Sequence, residues 1–357
     1  MTKCNFCEDN LEAGLPPACV AACPMRTLDY GQRADLEARP GVLQAVYPMP
    51  QPASRDPNIL IKPHRAAERA AEESAEIANW EEVAPRKAER PGEAPLIAFT
   101  LMAQMAIGAF WTVTLTLFSL PDRRLAEQIG LGPMLASGSL IVLALAASLF
   151  HLGAPKNAWR VLAHLRKSWL SREILFTLAF AGLWLLTLSS WMQPRVDSVL
   201  LLRNVLMVIT ALAGAAGIYS MGRVYRLKTV PAWCNWRIMA GFFVTACLLG
   251  GLLAASFLAA NVLRGAPVAS YAALLAQAGV SLVLLLGLQF WLVTSSGAAA
   301  RGTVHRLRLG LIGAGMLGAA ALPLAGDKAG AWITFPIFLI IMVEETLGRW
   351  LFYRLRQ

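Results

Sequence analysis

The chain has 357 residues, 57% of them hydrophobic and 15% charged. A soluble domain is about 45–50% apolar and about 25% charged, so most of this sequence is read as solvated by lipid. The formal charge of +10 then fits basic loops flanking membrane helices rather than a nucleic-acid footprint, and no nucleic-acid partner is expected.

The first 30 residues are polar and cysteine-rich, without the apolar run of a cleavable signal peptide. The stretch "KCNFCEDNLEAGLPPACVAACP" (3–24) spaces its thiols as Cys4-x2-Cys7-x11-Cys19-x3-Cys23-Pro24. Thiolates are soft ligands that suit zinc or iron–sulfur clusters. A zinc site usually pairs C-x2-C with a second close pair. The closing C-x3-C-P matches instead the end of the bacterial ferredoxin run, whose last cysteine ligates a neighbouring cluster. The iron–sulfur reading therefore ranks ahead of zinc, and zinc ahead of a disulfide. Ligand counting gives three thiolates to one 4Fe–4S cluster and one to another. Neither set is complete, so the remaining ligands are expected on sequence outside this chain. Cys234 and Cys247 lie far away, in or near apolar segments, and read as packing residues.

Residues 32–94 follow as an extended arm and polar linker. "PNILIKPH" (57–64) reads as a short extended arm between prolines, and "RAAERAAEESAEIANWEEV" (65–83) as a solvated helix. From 95 onward the hydropathy repeats. Helices are predicted over 95–119, 133–153, 173–192, 199–221, 238–262, 270–294, 308–325 and 330–353. Each is about long enough for a bilayer core, which takes ~20 residues. The shortest, 308–325, is rich in Gly and Ala, which suits close packing in lipid. The fold class is thus an all-α membrane protein: an eight-helix transmembrane bundle (95–357) behind a small ferredoxin-like segment (1–31). Eight spans put both termini on one side of the membrane. Loops on that side carry fifteen Lys and Arg, against six on the other. The positive-inside rule places that side in the cytoplasm.

His151 ends the second predicted helix and Glu173 begins the third, both on the side that carries the cysteines. A quinol loses two protons with its two electrons, and an interfacial histidine and carboxylate are suitable acceptors. Equally, Glu173 suits the dipole of a helix N-terminus and His151 suits an interface. Glu345 and Arg349 are four apart on one helix face and are expected to form a structural ion pair, with a proton relay as the second reading. Haem held by two histidines needs an inward-facing pair. Of His64, His151, His164 and His305, only His151 belongs to a predicted helix terminus, so no haem is expected.

Residues 3–31 resemble the last cysteine group of the iron–sulfur subunit of the dimethyl sulfoxide (DMSO) reductase family. "VLQAVYPMPQPASRDPNILIKPH" resembles that subunit's C-terminal arm. From about 94 onward the chain is similar to the family's membrane-anchor subunit, through "HLGAP" (151–155), "LSREI" (170–174), "GRVYRLKTVPAW" (222–233) and "EETLGRWLFY" (344–353). The resemblance implies a bacterial plasma-membrane anchor fused to the tail of an electron-transfer subunit. Its partner would be a molybdopterin catalytic subunit, with the remaining iron–sulfur sequence on another chain or missing. It also implies a haem-free menaquinol site around the matching His151 and Glu173, which tips both residues toward function. Asn157 stands where the family has an arginine, and the neighbouring Lys156 and Arg160 are the substitutes expected there. Family catalytic subunits commonly carry twin-arginine export signals, which implies a periplasmic iron–sulfur side, opposite to the charge bias. Two rivals are an anchor for polysulfide, thiosulfate or tetrathionate chemistry and a transporter with a zinc-binding cytosolic segment. The lack of paired broken helices counts against the transporter.

Overall fold

The computed structural model describes residues 7–21, 28–42, 59–62, 94–150, 165, 168–193, 196–226, 235–265, 268–294, 302–325 and 327–354. The chain divides into two units, Met1–Arg90 and Pro91–Gln357.

The first unit contributes three short helices among the described residues. Cys7 has a positive φ of 54° and leads into α1 (Glu8–Glu12). The Pro16–Pro17 pair precedes α2 (Ala18–Ala21). Helix α3 (Arg33–Glu37) carries an i,i+4 pair, Arg33 Nε to Glu37 Oε1 at 2.6 Å. Arg39 pairs with Asp29, and its hydrogen bond holds that carboxyl below the usual carboxylate range. The expected helix over 65–83 lies outside the described residues, as does the arm at 57–64 apart from 59–62.

The described residues of the second unit are mostly helical. Its helices are α4 (Ala94–Ser119), α5 (Arg123–Phe150), α6 (Trp169–Trp191), α7 (Asp197–Tyr225), α8 (Trp236–Leu263), α9 (Val268–Thr294), α10 (Thr303–Ala321) and α11 (Asp327–Arg354). Seven are long and apolar enough to cross a membrane. The exception is α10, which has 19 residues and occupies the place of the shortest expected span.

Helix α5 starts ten residues earlier than its predicted start at 133. Asp122 accepts from the backbone N–H groups of Arg124 (2.9 Å) and Leu125 (3.2 Å), which satisfies donors that a helix start leaves orphaned. Pro133 then lies inside the helix instead of opening it. Such prolines are tolerated in membrane helices because neighbours compensate the lost bond.

The eight helices pack as two successive four-helix groups, α4–α7 and α8–α11, joined chiefly where α4 crosses α8. One apolar core, including Ile107, Phe110, Phe180, Met207 and Met221, fills the first group. A second, including Leu248, Leu249, Leu286, Ile312 and Ile341, fills the other. The seam itself is built from glycine. A β-carbon on Gly108 would fall 1.8 Å from the Ala246 carbonyl oxygen, and one on Gly250 would fall 2.0 Å from the Gly108 carbonyl carbon. Lipid supplies no hydrophobic drive between helices, so close backbone approach and interhelical hydrogen bonds hold such bundles. Both are present. Trp111 Nε1 donates to the Ala211 carbonyl at 3.0 Å, and Ser137 Oγ to the Ala106 carbonyl at 2.8 Å.

Arg203, one of the six cations counted on the side opposite the termini, is not a free surface charge. Arg203 is only 4% exposed and pairs through Nη2 with Glu127 Oε1 at 2.5 Å. The Trp191 ring lies 5.4 Å from the same guanidinium. Positional counting of cations along a sequence cannot see that pairing.

Candidate functional site

The start of α4 shares one end of the bundle with the starts of α6, α8 and α10 and the ends of α7 and α11. Ser168 sets the register of α6: its side chain accepts from the Ser171 backbone N–H at 3.3 Å, so the helix begins at Trp169. Glu173 is therefore one turn inside the helix rather than capping it. It is 3% exposed. Trp169 lies one turn before it on the same face. That indole is flanked by Arg172 at 4.2 Å and Arg223 at 4.6 Å, with Tyr219 packed edge-on at 5.8 Å.

Across from α6, the Tyr225 and Tyr353 hydroxyls are 2.9 Å apart, and both side chains are buried. Phe242 and Phe352 pack around them. The Glu173 carboxyl is within electrostatic reach of both phenols. Beside α7 and α8 is a groove of about 450 Å³ lined by Tyr219, Gly222, Trp236, Met239 and Phe243, among others. Its size falls in the range of small-molecule sites, about 300–1,000 Å³. Tyr219 joins this groove to the Trp169 ring, and so to the turn that carries Glu173.

Of the other expected quinol-site residues, His151, Lys156 and Arg160 lie outside the described residues. So do Cys4 and Cys23. Cys7 is half-buried at the start of α1, and Cys19 is an exposed free thiol on α2. Among the described residues no group of three or more metal-ligating side chains forms. The thiol donors that are described have the chemistry an iron–sulfur ligand needs, and Cys19 is sterically open to it.

The pair expected between Glu345 and Arg349 is replaced by other partners. Arg349 Nη2 donates to Gln104 Oε1 at 2.6 Å on α4, and its guanidinium lies 3.7 Å from the Phe242 ring centre. Glu345 accepts from Thr245 Oγ1 at 3.0 Å and from Gln289 Nε2 at 3.2 Å. The ion pair on this stretch belongs to the neighbouring Glu344, with Arg308 Nη2 at 2.7 Å. An i,i+4 spacing permits a pair but does not outbid partners on packed helices. A cavity of about 210 Å³ separates these elements, lined by Glu345, Arg349, Arg308, His305, Gln289 and Thr245 among others. His305, expected in a loop, sits in the first turn of α10 and is buried. Sequence reasoning missed Tyr225, Tyr353, Gln104, Gln289 and Glu344 as site residues. The available signal was the placement of Gln104, Gln289 and the Glu344–Glu345 pair inside otherwise apolar helices.

A family model described as DMSO reductase anchor subunit (DmsC) matches residues 91–355. The C subunit of the anaerobic dimethyl sulfoxide reductase of Escherichia coli (strain K12) is 29% identical over 280 residues, which is 74% of this sequence and 94% of that relative. The YnfH subunit of an anaerobic dimethyl sulfoxide reductase of the same strain is 31% identical over 277 residues, with the same two coverages. The B subunit of the anaerobic dimethyl sulfoxide reductase of that strain is 40% identical over 83 residues, 23% of this sequence and 40% of that relative. The sequence is thus similar to nearly all of one subunit and to a fraction of another. No solved structure matches it.

Proposed function

The chain belongs to the DMSO reductase anchor subunit family, and from that premise we propose that it oxidises menaquinol and delivers the electrons to a molybdopterin catalytic subunit. The burial of Glu173, within electrostatic reach of the Tyr225–Tyr353 pair, carries this reading. A carboxyl group at that depth in an apolar helix is costly unless it works, and ionisable groups inside membranes mark proton and substrate paths.

Menaquinol enters along the groove between α7 and α8, and its ring lies against the aromatic wall that includes Trp169. Glu173 Oε accepts one hydroxyl proton and a His151 ring nitrogen the other. Lys156 and Arg160 hold the quinol oxygens by charge. The products are menaquinone, two protons and two electrons. Cys4, Cys7, Cys19 and Cys23 would be ligands to 4Fe–4S clusters, which when bound supply one-electron relays toward the catalytic subunit. The similarity to the B subunit of the Escherichia coli reductase supports that role for the N-terminal unit. Eight helices in alternating directions leave both termini on one side of the plasma membrane.

Glu173→Gln tests the reading. The amide keeps the shape and removes the proton acceptor. Menaquinol-driven turnover of the assembled complex should fall on the order of a hundredfold, the lower range for a lost general base. Turnover driven by an artificial dye should persist, and a quinol analogue should still bind. Wild-type menaquinol turnover in an assembled Glu173→Gln complex would exclude this carboxylate as the acceptor.

A further inference from the structure

We propose that the cleft between α8, α9, α10 and α11 is a water-filled proton exit for the quinol site, with Glu345 as its internal acceptor. The inference rests on the quinol reading above and extends it from the site of oxidation to the fate of the protons.

The cavity measures about 210 Å³. A water takes ~30 Å³ of liquid volume, so several fit. The walls are polar where they need not be for packing: Thr245, Gln289, His305, Arg308, Glu345 and Arg349 all face it. Three buried polar atoms on or next to these walls have no hydrogen-bond partner among the described residues: Gln104 Nε2, Glu344 Oε2 and Arg349 Nε. Buried groups of this kind are satisfied by water where there is room for it. Asn235 and His305, at the starts of α8 and α10, line the same cavity and bring it to the end of the bundle.

The cavity also connects inward to the quinol site. Glu345, Arg349 and Tyr353 follow one another at four-residue spacing and form one stripe on α11. Eight residues of helix cover about 12 Å. Tyr353 ends the stripe at the Tyr225 hydroxyl, 2.9 Å away. Tyr225 packs on Phe242 at 5.8 Å, and Arg349 lies over the same ring. The same end of the bundle thus gathers Glu173, two phenols, a guanidinium and a carboxyl, with the Phe242 ring packed against both Tyr225 and Arg349.

The step balances as a relay. Bridging water carries the proton from Glu173 to the Tyr225 oxygen as the Tyr225 proton passes to Tyr353. The Tyr353 proton passes to water beside Arg349, the residue of the stripe that lines the cavity one turn away, and both phenols end neutral. Arg349 stays protonated and orients that water. Glu345 takes up the proton and releases it to water at the outer end of the cavity. No electron moves in these steps.

The test uses the assembled complex in membranes and compares Glu345→Gln, Glu345→Asp and Tyr353→Phe with wild type. Glu345→Gln should slow menaquinol-driven turnover on the order of tenfold or more, with a raised solvent deuterium isotope effect. Glu345→Asp should restore part of the rate and bring the isotope effect back toward wild type. Tyr353→Phe should behave like Glu345→Gln. A quinol-analogue inhibitor should bind all three as it binds wild type. Dye-driven turnover reports assembly in each. Wild-type turnover and isotope effect in Glu345→Gln, while Glu173→Gln remains impaired, would overturn the exit and leave the quinol site standing. Loss of inhibitor binding in Glu345→Gln would also overturn it, since the cavity would then be where quinol binds. A slow Glu345→Gln enzyme with an unchanged isotope effect would make the residue structural and would equally sink the relay.

Discussion

His151→Ala is expected to abolish menaquinol-driven reduction in the assembled complex while artificial dyes still drive it. Dyes deliver electrons directly to clusters or to the catalytic subunit and bypass the membrane. The connection that carries His151 leads into Ser168, whose cap fixes the start of α6 and so the position of Glu173. A quinol whose two hydroxyl protons have two acceptors needs both. Losing Glu173 alone leaves the imidazole as a general base. Losing the imidazole removes both an acceptor and a hydrogen-bond partner for the bound quinol. The expected loss is therefore at the upper end for a general base, on the order of 10³–10⁴. Rate and inhibitor affinity should fall together, in contrast to Glu173→Gln. A His151→Ala complex that assembles and turns over menaquinol normally would reduce the histidine to an interfacial anchor.

Gly250→Leu is expected to remove the folded protein from the membrane. The first carbon of any side chain at 250 already falls 2.0 Å from the backbone of Gly108. No rotamer relieves that contact, because the β-carbon is fixed by its own backbone and the atoms it meets are backbone too. The helices must part, and the α4–α8 seam is the principal junction between the two four-helix groups. Overpacking by a methylene or two costs about 1–3 kcal/mol in soluble cores. Here four carbons enter a seam held by contact alone, so the effect should exceed that range. The neighbouring Gly251 is the control: a β-carbon there meets nothing within 4 Å. Gly251→Leu should express and melt like the parent in detergent, while Gly250→Leu should give little folded protein. Equal yields and equal melting temperatures for the two variants would show that the seam tolerates separation.

The order of the helices was legible in the sequence because lipid imposes a length and an apolar composition on each span, although only seven of the eight expected spans meet both demands. Their starts were less legible where a polar cap outweighed a proline. Asp122 opens α5 ten residues before Pro133, which reads in isolation as a helix start. Glu173 was legible as a candidate from its place in "LSREI", but its depth was not, since that depends on the Ser168 cap four residues before Arg172. The Tyr225–Tyr353 contact spans 128 residues of sequence, and no local pattern at either tyrosine points to the other. Spacing rules describe one helix at a time. They therefore assigned Arg349 to Glu345 and could not see Gln104, Thr245 or Gln289, which arrive from three other helices.

Menaquinol oxidation by this subunit is tested most directly by mixing menaquinol with the assembled complex, without a terminal oxidant, and following the 4Fe–4S signals by rapid-freeze EPR. Menaquinol should reduce the clusters in wild type, at a rate that collapses in His151→Ala and Glu173→Gln, while dithionite reduces them equally in all three. Clusters that menaquinol leaves oxidised in wild type, or reduces at one rate in all three proteins, would contradict the assignment of quinol oxidation to this end of the bundle.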